Sequence, residues 1–300
     1  MVPRETSSKA PPSGNATAPP VTVAGIFLAF GENRVLEGIS LEIQKGETVA
    51  ILGESGGGKT VLLKVMIGIQ APDKGQVRLF GTDIIGLTDE QMEPMRRRMS
   101  VVFQGSAIYS GLTVEENVAL ELREIWKLSE KEIAVRVKEA LAAVGLEEVD
   151  PALVPDELSG GMKKRLAVAR AIATKPEVIF YDEPTSGLDP INSGRILELI
   201  VEMHRQTAAT SVIVTHDLRG ACKIANRIIL LADHLVAFDG TPEAFITSKE
   251  QAVEAYRTAV SQVVSPPQAA SAKAAEPART PTEPQKPAAR PSARESVPAR

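Results

Sequence analysis

Lys59 and Thr60 close the run Gly53-Glu54-Ser55-Gly56-Gly57-Gly58-Lys59-Thr60, which has the form G-x-x-x-x-G-K-[ST]. Glycines at these places let backbone N–H groups fold around phosphate oxygens, and the start of a helix adds partial positive charge at the same spot. In such an arrangement Lys59 reaches the β- and γ-phosphates and the Thr60 hydroxyl coordinates Mg²⁺. A second chemical pair, Asp182-Glu183, follows Val178-Ile179-Phe180-Tyr181. Asp182 is suited to hold the metal, and Glu183 to orient or deprotonate an attacking water, a contribution of roughly 10²- to 10⁴-fold in rate. Considered alone, Asp-Glu-Pro after a strand reads as a solvated turn; downstream of a phosphate loop the catalytic reading is preferred.

These groups need particular elements beneath them. Thr48–Leu52 is short, apolar and β-branched, as a strand feeding a phosphate loop should be, and Thr60–Met66 carries apolar residues at helical spacing. Val178–Tyr181 reads as a buried strand. Alternating strand and helix patterns predict an α/β fold with a mainly parallel, covered sheet, and a body of about 240 residues suits one large domain. Val21–Phe30 reads as a first strand rather than a signal peptide. No run approaches the roughly 20 apolar residues that span a bilayer. The longest apolar candidate, Ile228–Val236, is broken by Asp233 and His234.

Taken in order, the residues resemble the ATP-binding subunits of ABC transporters over roughly residues 21 to 250. Leu158-Ser159-Gly160-Gly161-Met162 resembles the family's signature loop, and Gln104, after Ser100-Val101-Val102-Phe103, its Q-loop glutamine. Ser186-Gly187-Leu188-Asp189 resembles the D-loop, and His216, after Ser211–Thr215, the switch histidine. Phe30 stands where the family stacks an aromatic on adenine, although a Phe ending an apolar strand reads equally well as core. The resemblance implies a P-loop NTPase of RecA-like type, an ABC nucleotide-binding domain with an antiparallel β subdomain and a helical subdomain. It implies ATP and Mg²⁺ as cofactors. Nucleotide contacts fall on Phe30, Gly53 to Thr60, Ser159, Gly160, Gly161 and Asp189; metal contacts on Thr60, Gln104 and Asp182; and catalysis on Glu183, His216 and Gln104. It also implies a head-to-tail dimer, in which Ser159, Gly160 and Gly161, at the start of a helix running to about Ala173, cover the γ-phosphate held by a second copy.

Met162 departs from the commoner Gln, and this narrows the match. With Lys163-Lys164-Arg165, Phe103–Tyr109, Glu116-Asn117-Val118, Leu122-Arg123-Glu124 and Asp189-Pro190-Ile191, the chain is similar to the Mla/Mce-type phospholipid transport ATPases. That similarity implies phospholipid or related lipid as cargo, with amino acids, metals and drugs left open. It implies an integral membrane permease as partner, an Mce-type substrate-binding protein beyond it, and a place on the cytoplasmic face of the inner or plasma membrane. The insert between Gln104 and Leu158 is expected to receive the permease, with exposed apolar groups near Ala107 to Leu112. A non-transport ABC ATPase acting on nucleic acid or ribosomes is the alternative. It is disfavoured because the gap between the Gly-rich loops lacks sustained heptads and the chain holds one ATPase unit. A regulatory subunit without turnover would lack a catalytic group, and none is missing here.

Charge points the same way. The chain carries 34 Lys+Arg against 38 Asp+Glu, net −4; residues 265–300 hold +3 and residues 1–20 hold +1, leaving −8 on the body. An acidic body lacks the basic footprint of a general nucleic-acid binder. The expected organisation is a disordered segment 1–20, an ATPase domain 21–250 with a helical subdomain inserted at about 105–170, a C-terminal helix 251–264, and a disordered tail 265–300. The tail holds eight prolines and the first twenty residues five, too little apolar matter to order them. Within the C-terminal part, the whole stretch from Pro242 to about Val263 reads as helix. Cys222, the single cysteine, is expected to be a small buried residue, and Trp126 to pack on the helical insert.

Overall fold

The computed structural model describes residues 18–264. In chain order its elements are β1 (Val21–Phe30), β2 (Asn33–Ile43), β3 (Thr48–Gly53), α1 (Lys59–Met66), β4 (Lys74–Leu79), β5 (Thr82–Asp83), α2 (Asp89–Arg96), β6 (Met99–Val102), α3 (Val114–Glu124), α4 (Glu130–Ala143), α5 (Gly160–Ala173), β7 (Val178–Asp182), α6 (Pro190–Thr207), β8 (Thr210–Val214), α7 (Leu218–Ile224), β9 (Arg227–Ala232), β10 (Leu235–Gly240), α8 (Pro242–Thr247) and α9 (Gln251–Val264).

Strands of two kinds build two sheets. Side chains of β2 largely alternate inward and outward, and β2, β1, β4 and β5 form an antiparallel sheet in that order. Every position of β3, β7 and β8 is buried, as in parallel strands covered on both faces. They lie inside a six-stranded sheet of order β10-β9-β3-β8-β7-β6, parallel throughout except for β10.

Successive side chains of a strand face opposite ways, so β7 serves two cores: Phe180 packs with the antiparallel sheet and α1, Tyr181 with the helices. The first core also takes Leu62, Leu63 and Met66 from α1 and Met92 and Met95 from α2. The second joins α3, α4 and α5 to α6. Thr113 with Glu116 and Ser129 with Glu132 form capping boxes that start α3 and α4. A third core sets Phe245, Val253 and Tyr256 against Ala50, Leu52, Ile228 and Leu230.

Two details differ from expectation. Pro20, just before β1, is already ordered against the fold: it is buried, and its carbonyl accepts the Phe80 N–H at 2.9 Å. The stretch from Pro242 to about Val263 is two helices, because Ser248 is extended at ψ 141° and its hydroxyl accepts the Glu250 N–H at 3.1 Å. The expectations for residues 1–17 and 265–300 lie outside the described residues. Among the described residues, no helix is long and apolar enough to cross a membrane.

Candidate functional site

β3 delivers Gly53 to the end of the sheet, and α1 begins six residues later. A Cβ on Gly53 would lie 2.6 Å from the Leu231 carbonyl, and Gly58 at φ 89° would press one to 3.0 Å from the Val35 carbonyl. The turn therefore requires glycine at both ends. Glu54, Ser55 and Gly56 are exposed, Gly57 half so, and no side chain caps the N-terminus of α1. The result is an open rim of backbone N–H groups on a helix start, suited to an anion. Lys59 is buried beneath the rim, its Nζ donating to the carbonyls of Gly53 at 2.9 Å and Glu54 at 2.8 Å. Burial pulls its ammonium below the usual lysine range, partly offset by Glu183 and Asp182.

The two carboxylates at the end of β7 diverge. Asp182 stays on the strand and accepts the Thr60 hydroxyl at 2.9 Å; burial raises its carboxyl above the usual carboxylate range. Glu183 turns into the left-handed region at φ 47°, held there by its N–H on the Val214 carbonyl at 2.8 Å. Its Oε2 meets the Thr215 hydroxyl at 3.3 Å and His216 Nδ1 at 2.9 Å, and its Oε1 lies 3.9 Å from Lys59 Nζ. Strained backbone held by its surroundings is a recurring property of reactive positions. The Thr60 hydroxyl and the Asp182 carboxylate are adjacent hard oxygen donors, a set that fits Mg²⁺.

Other sequence-selected residues surround this centre at different ranges. Gln104 is exposed and donates through Nε2 to the Ser186 hydroxyl at 3.1 Å, with no bond to Thr60 or Asp182. Asp189 caps α6, accepting the N–H groups of Ile191 at 2.9 Å and Asn192 at 3.0 Å. Ser159 caps α5 and accepts the Met162 N–H at 3.3 Å; Ser159 and Gly160 are exposed. Among the described residues no hydrogen bond or ion pair joins 158–162 to 53–60. Gly161 instead faces Asn192 of α6, 3.5 Å from where a Cβ would stand. Phe30 is 51% exposed, so the core alternative does not apply to it.

Sequence reading gave no structural role to several polar groups that hold the centre. Lys164, buried on α5, donates to the Gln104 carbonyl, and Arg170, a turn and a half later, to the carbonyls of Ala107 at 2.6 Å and Ser106 at 3.4 Å. The signature helix thus grips the segment after Gln104. Within that segment Tyr109 is 52% exposed and Ile108 half-buried. Trp126 packs at the edge of the helical core between the guanidinium groups of Arg97 and Arg136. Cys222 is half-buried against the third core.

Comparison with known proteins agrees with this geometry. A family model described as "ABC transporter" matches residues 36–186. The chain is 38% identical over 230 residues to the Haemophilus influenzae protein named intermembrane phospholipid transport system ATP-binding protein MlaF, covering 77% of this chain and 87% of that one. It is 39% identical over 237 residues to the Mycobacterium tuberculosis protein named probable ribonucleotide transport ATP-binding protein mkl, covering 79% of this chain and 66% of that one. Among solved structures it is similar to the dimeric, post-hydrolysis ATP-binding cassette MJ0796 bound to ADP and Pi, with TM-score 0.68, 32% identity, and coverage of 74% of this chain and 98% of that one.

Proposed function

The chain belongs to the ABC transporter family and is an ATPase that serves transport, and from that premise we propose that two copies, paired head to tail, energise a permease that moves phospholipid or a related lipid. The observation that carries the hydrolytic part is the meeting of Glu183 with His216 at 2.9 Å, beside a buried Lys59. The loop from Gly53 to Gly58 wraps the β- and γ-phosphates, and Lys59 exchanges its two carbonyl partners for phosphate oxygens. Glu183 accepts a proton from the water that attacks the γ-phosphorus, while His216 holds the γ-phosphate and keeps Glu183 oriented. Thr60 and Asp182, with Gln104, would hold Mg²⁺, which would supply positive charge to neutralise the phosphates. Ser159, Gly160 and Gly161, unattached to the cradle of their own chain, complete the site of the other copy; the dimeric state of the similar MJ0796 cassette supports this pairing. Phe30 offers its exposed ring to the adenine, and Asp189 braces the α6 start beside Gly161.

Lipid cargo rests on the likeness to MlaF, and the likeness to mkl, whose name carries a different cargo, favours a second reading as an ATPase for another solute. In either case the chain sits peripherally on the cytoplasmic face of the inner or plasma membrane through its permease, with an Mce-type protein as the further partner of the lipid system. Glu183→Gln should retain ATP binding, lose at least about 100-fold in turnover, and accumulate as a dimer with ATP. Purifying that variant with its membrane partners and analysing the bound lipid tests the cargo. Turnover at the parental rate would sink Glu183 as the base, and a complex that copurifies with a polar solute but no phospholipid would favour the second reading.

A further inference from the structure

Tyr256 lies on α9, far along the chain from every motif residue, yet it is only 6% exposed and points into the third core. Its ring meets Phe245 edge to face, with centroids 6.4 Å apart, and Phe245 meets Phe238 the same way at 5.1 Å. This aromatic stack seats the Tyr256 ring against α8 and β10, and its hydroxyl reaches the segment that follows β8. There its Oη donates to the His216 carbonyl at 3.2 Å. Burial pushes the hydroxyl up to about 12, against a hydrogen bond from the Gly53 backbone, so the phenol remains a neutral donor.

The position of that bond matters because the chain has just left the sheet. The last ladder contact of this strand is the Thr215 N–H on the Ile51 carbonyl at 3.1 Å, and α7 does not begin until Leu218. His216 therefore occupies a turn, and its side chain is 60% exposed. Little packing holds the imidazole against Glu183, so its aim depends on the orientation of its own peptide unit.

We propose that Tyr256 is a positioning residue for ATP hydrolysis: its hydroxyl fixes the His216 peptide so that the imidazole meets Glu183, which makes α9 a working part of the ATPase. This rests on the reading of Glu183 and His216 as the hydrolytic pair. Tyr256→Phe retains the ring, the aromatic stack and the apolar contacts, and removes the hydroxyl both as donor to the His216 carbonyl and as acceptor from the Gly53 backbone; a loss routed through Gly53 would persist when His216 is replaced.

The test is steady-state hydrolysis by the full chain carrying Tyr256→Phe, alone and combined with His216→Ala. The expected result is a fall in kcat of about tenfold, the equivalent of roughly 1.4 kcal/mol in the barrier, with KM for ATP unchanged. In the His216→Ala background the second substitution should remove nothing further. The imidazole ¹⁵N resonance of His216 should also move in Tyr256→Phe, which a loss of packing elsewhere would not cause. Parental kcat in Tyr256→Phe overturns the proposal, as does an equal loss in both backgrounds or an unmoved His216 resonance. If His216→Ala itself turns over at the parental rate, the hydrolytic reading of His216 falls instead, and the two failures are thereby distinguished.

Discussion

Glu183 and Asp182 are neighbours in sequence that the backbone sends to different tasks. Regular strand geometry would put their carboxylates on opposite faces; the left-handed turn at Glu183 instead swings its carboxylate to Thr215 and His216, at a strain on the order of 1 kcal/mol or more. Asp182 bears a different burden. Burial raises its carboxyl, so its ionised form is disfavoured in the fold relative to the unfolded chain. A raised carboxylate contributes stability below its ordinary value and loses that contribution as pH rises through the folded value, leaving a penalty at neutral pH. Asp182→Asn preserves an acceptor for Thr60 and removes the charge. Without nucleotide it should unfold at higher urea than the parent at pH 7, and the gain should shrink as both are acidified towards pH 4. Turnover should be lost. A variant less stable than the parent at pH 7 would show that the Thr60 bond outweighs burial.

Elements that the sequence spelled out are those with one period and clear punctuation. The uninterrupted apolar runs of β3, β7 and β8 read as buried strands because both of their faces are covered, and the glycines after β3 read as a turn because no other residue fits. The division of the C-terminal stretch was illegible: its apolar spacing continues past Ser248, where the Ser248 hydroxyl accepts the Glu250 N–H and the Arg257 guanidinium donates to the carbonyls of Ile246 and Ser248. Lys164, Arg170 and Tyr256 were hidden for a related reason. Two are charges on a helix that reads as half-solvated, the third an aromatic at a core position, and their value comes from carbonyls distant in sequence. Asn117 shows the same effect on α3. It is wholly buried, accepts the Tyr109 N–H at 2.9 Å, and donates to the carbonyls of Tyr109, Leu112 and Thr113 at 2.9 to 3.1 Å. Asn117→Ala leaves the Tyr109 N–H and the Leu112 carbonyl without their partner, while the Tyr109 and Thr113 carbonyls keep backbone bonds, and should cost roughly 2–4 kcal/mol in denaturant unfolding. Loss of under half a kcal/mol would mean that water replaces the amide and the loop is less tightly pinned than its bonds indicate.

At the scale of the whole molecule, the cradle at 53–60 and the loop at 158–162 each end a different helix start and do not bond to each other. If the site is completed by a second copy, Lys59→Ala and Ser159→Arg proteins should each be inactive alone and recover part of the turnover when mixed, through one intact composite site per mixed dimer. No recovery under conditions where subunits exchange would place both loops of a single chain on the same nucleotide. The strand order carries a separate consequence for how the protein is made. β3 lies between β8 and β9, with Thr48 opposite Ser211 and Ala50 opposite Ile228. A ribosome thus releases the phosphate loop long before the strands that hold it in the sheet, while α3, α4 and α5 emerge in between with mostly local contacts to make. The nascent chain therefore carries this wholly buried strand unpaired until β8 and β9 emerge, which makes it, rather than the helical insert, a segment that needs shielding until the last third of the domain has left the tunnel.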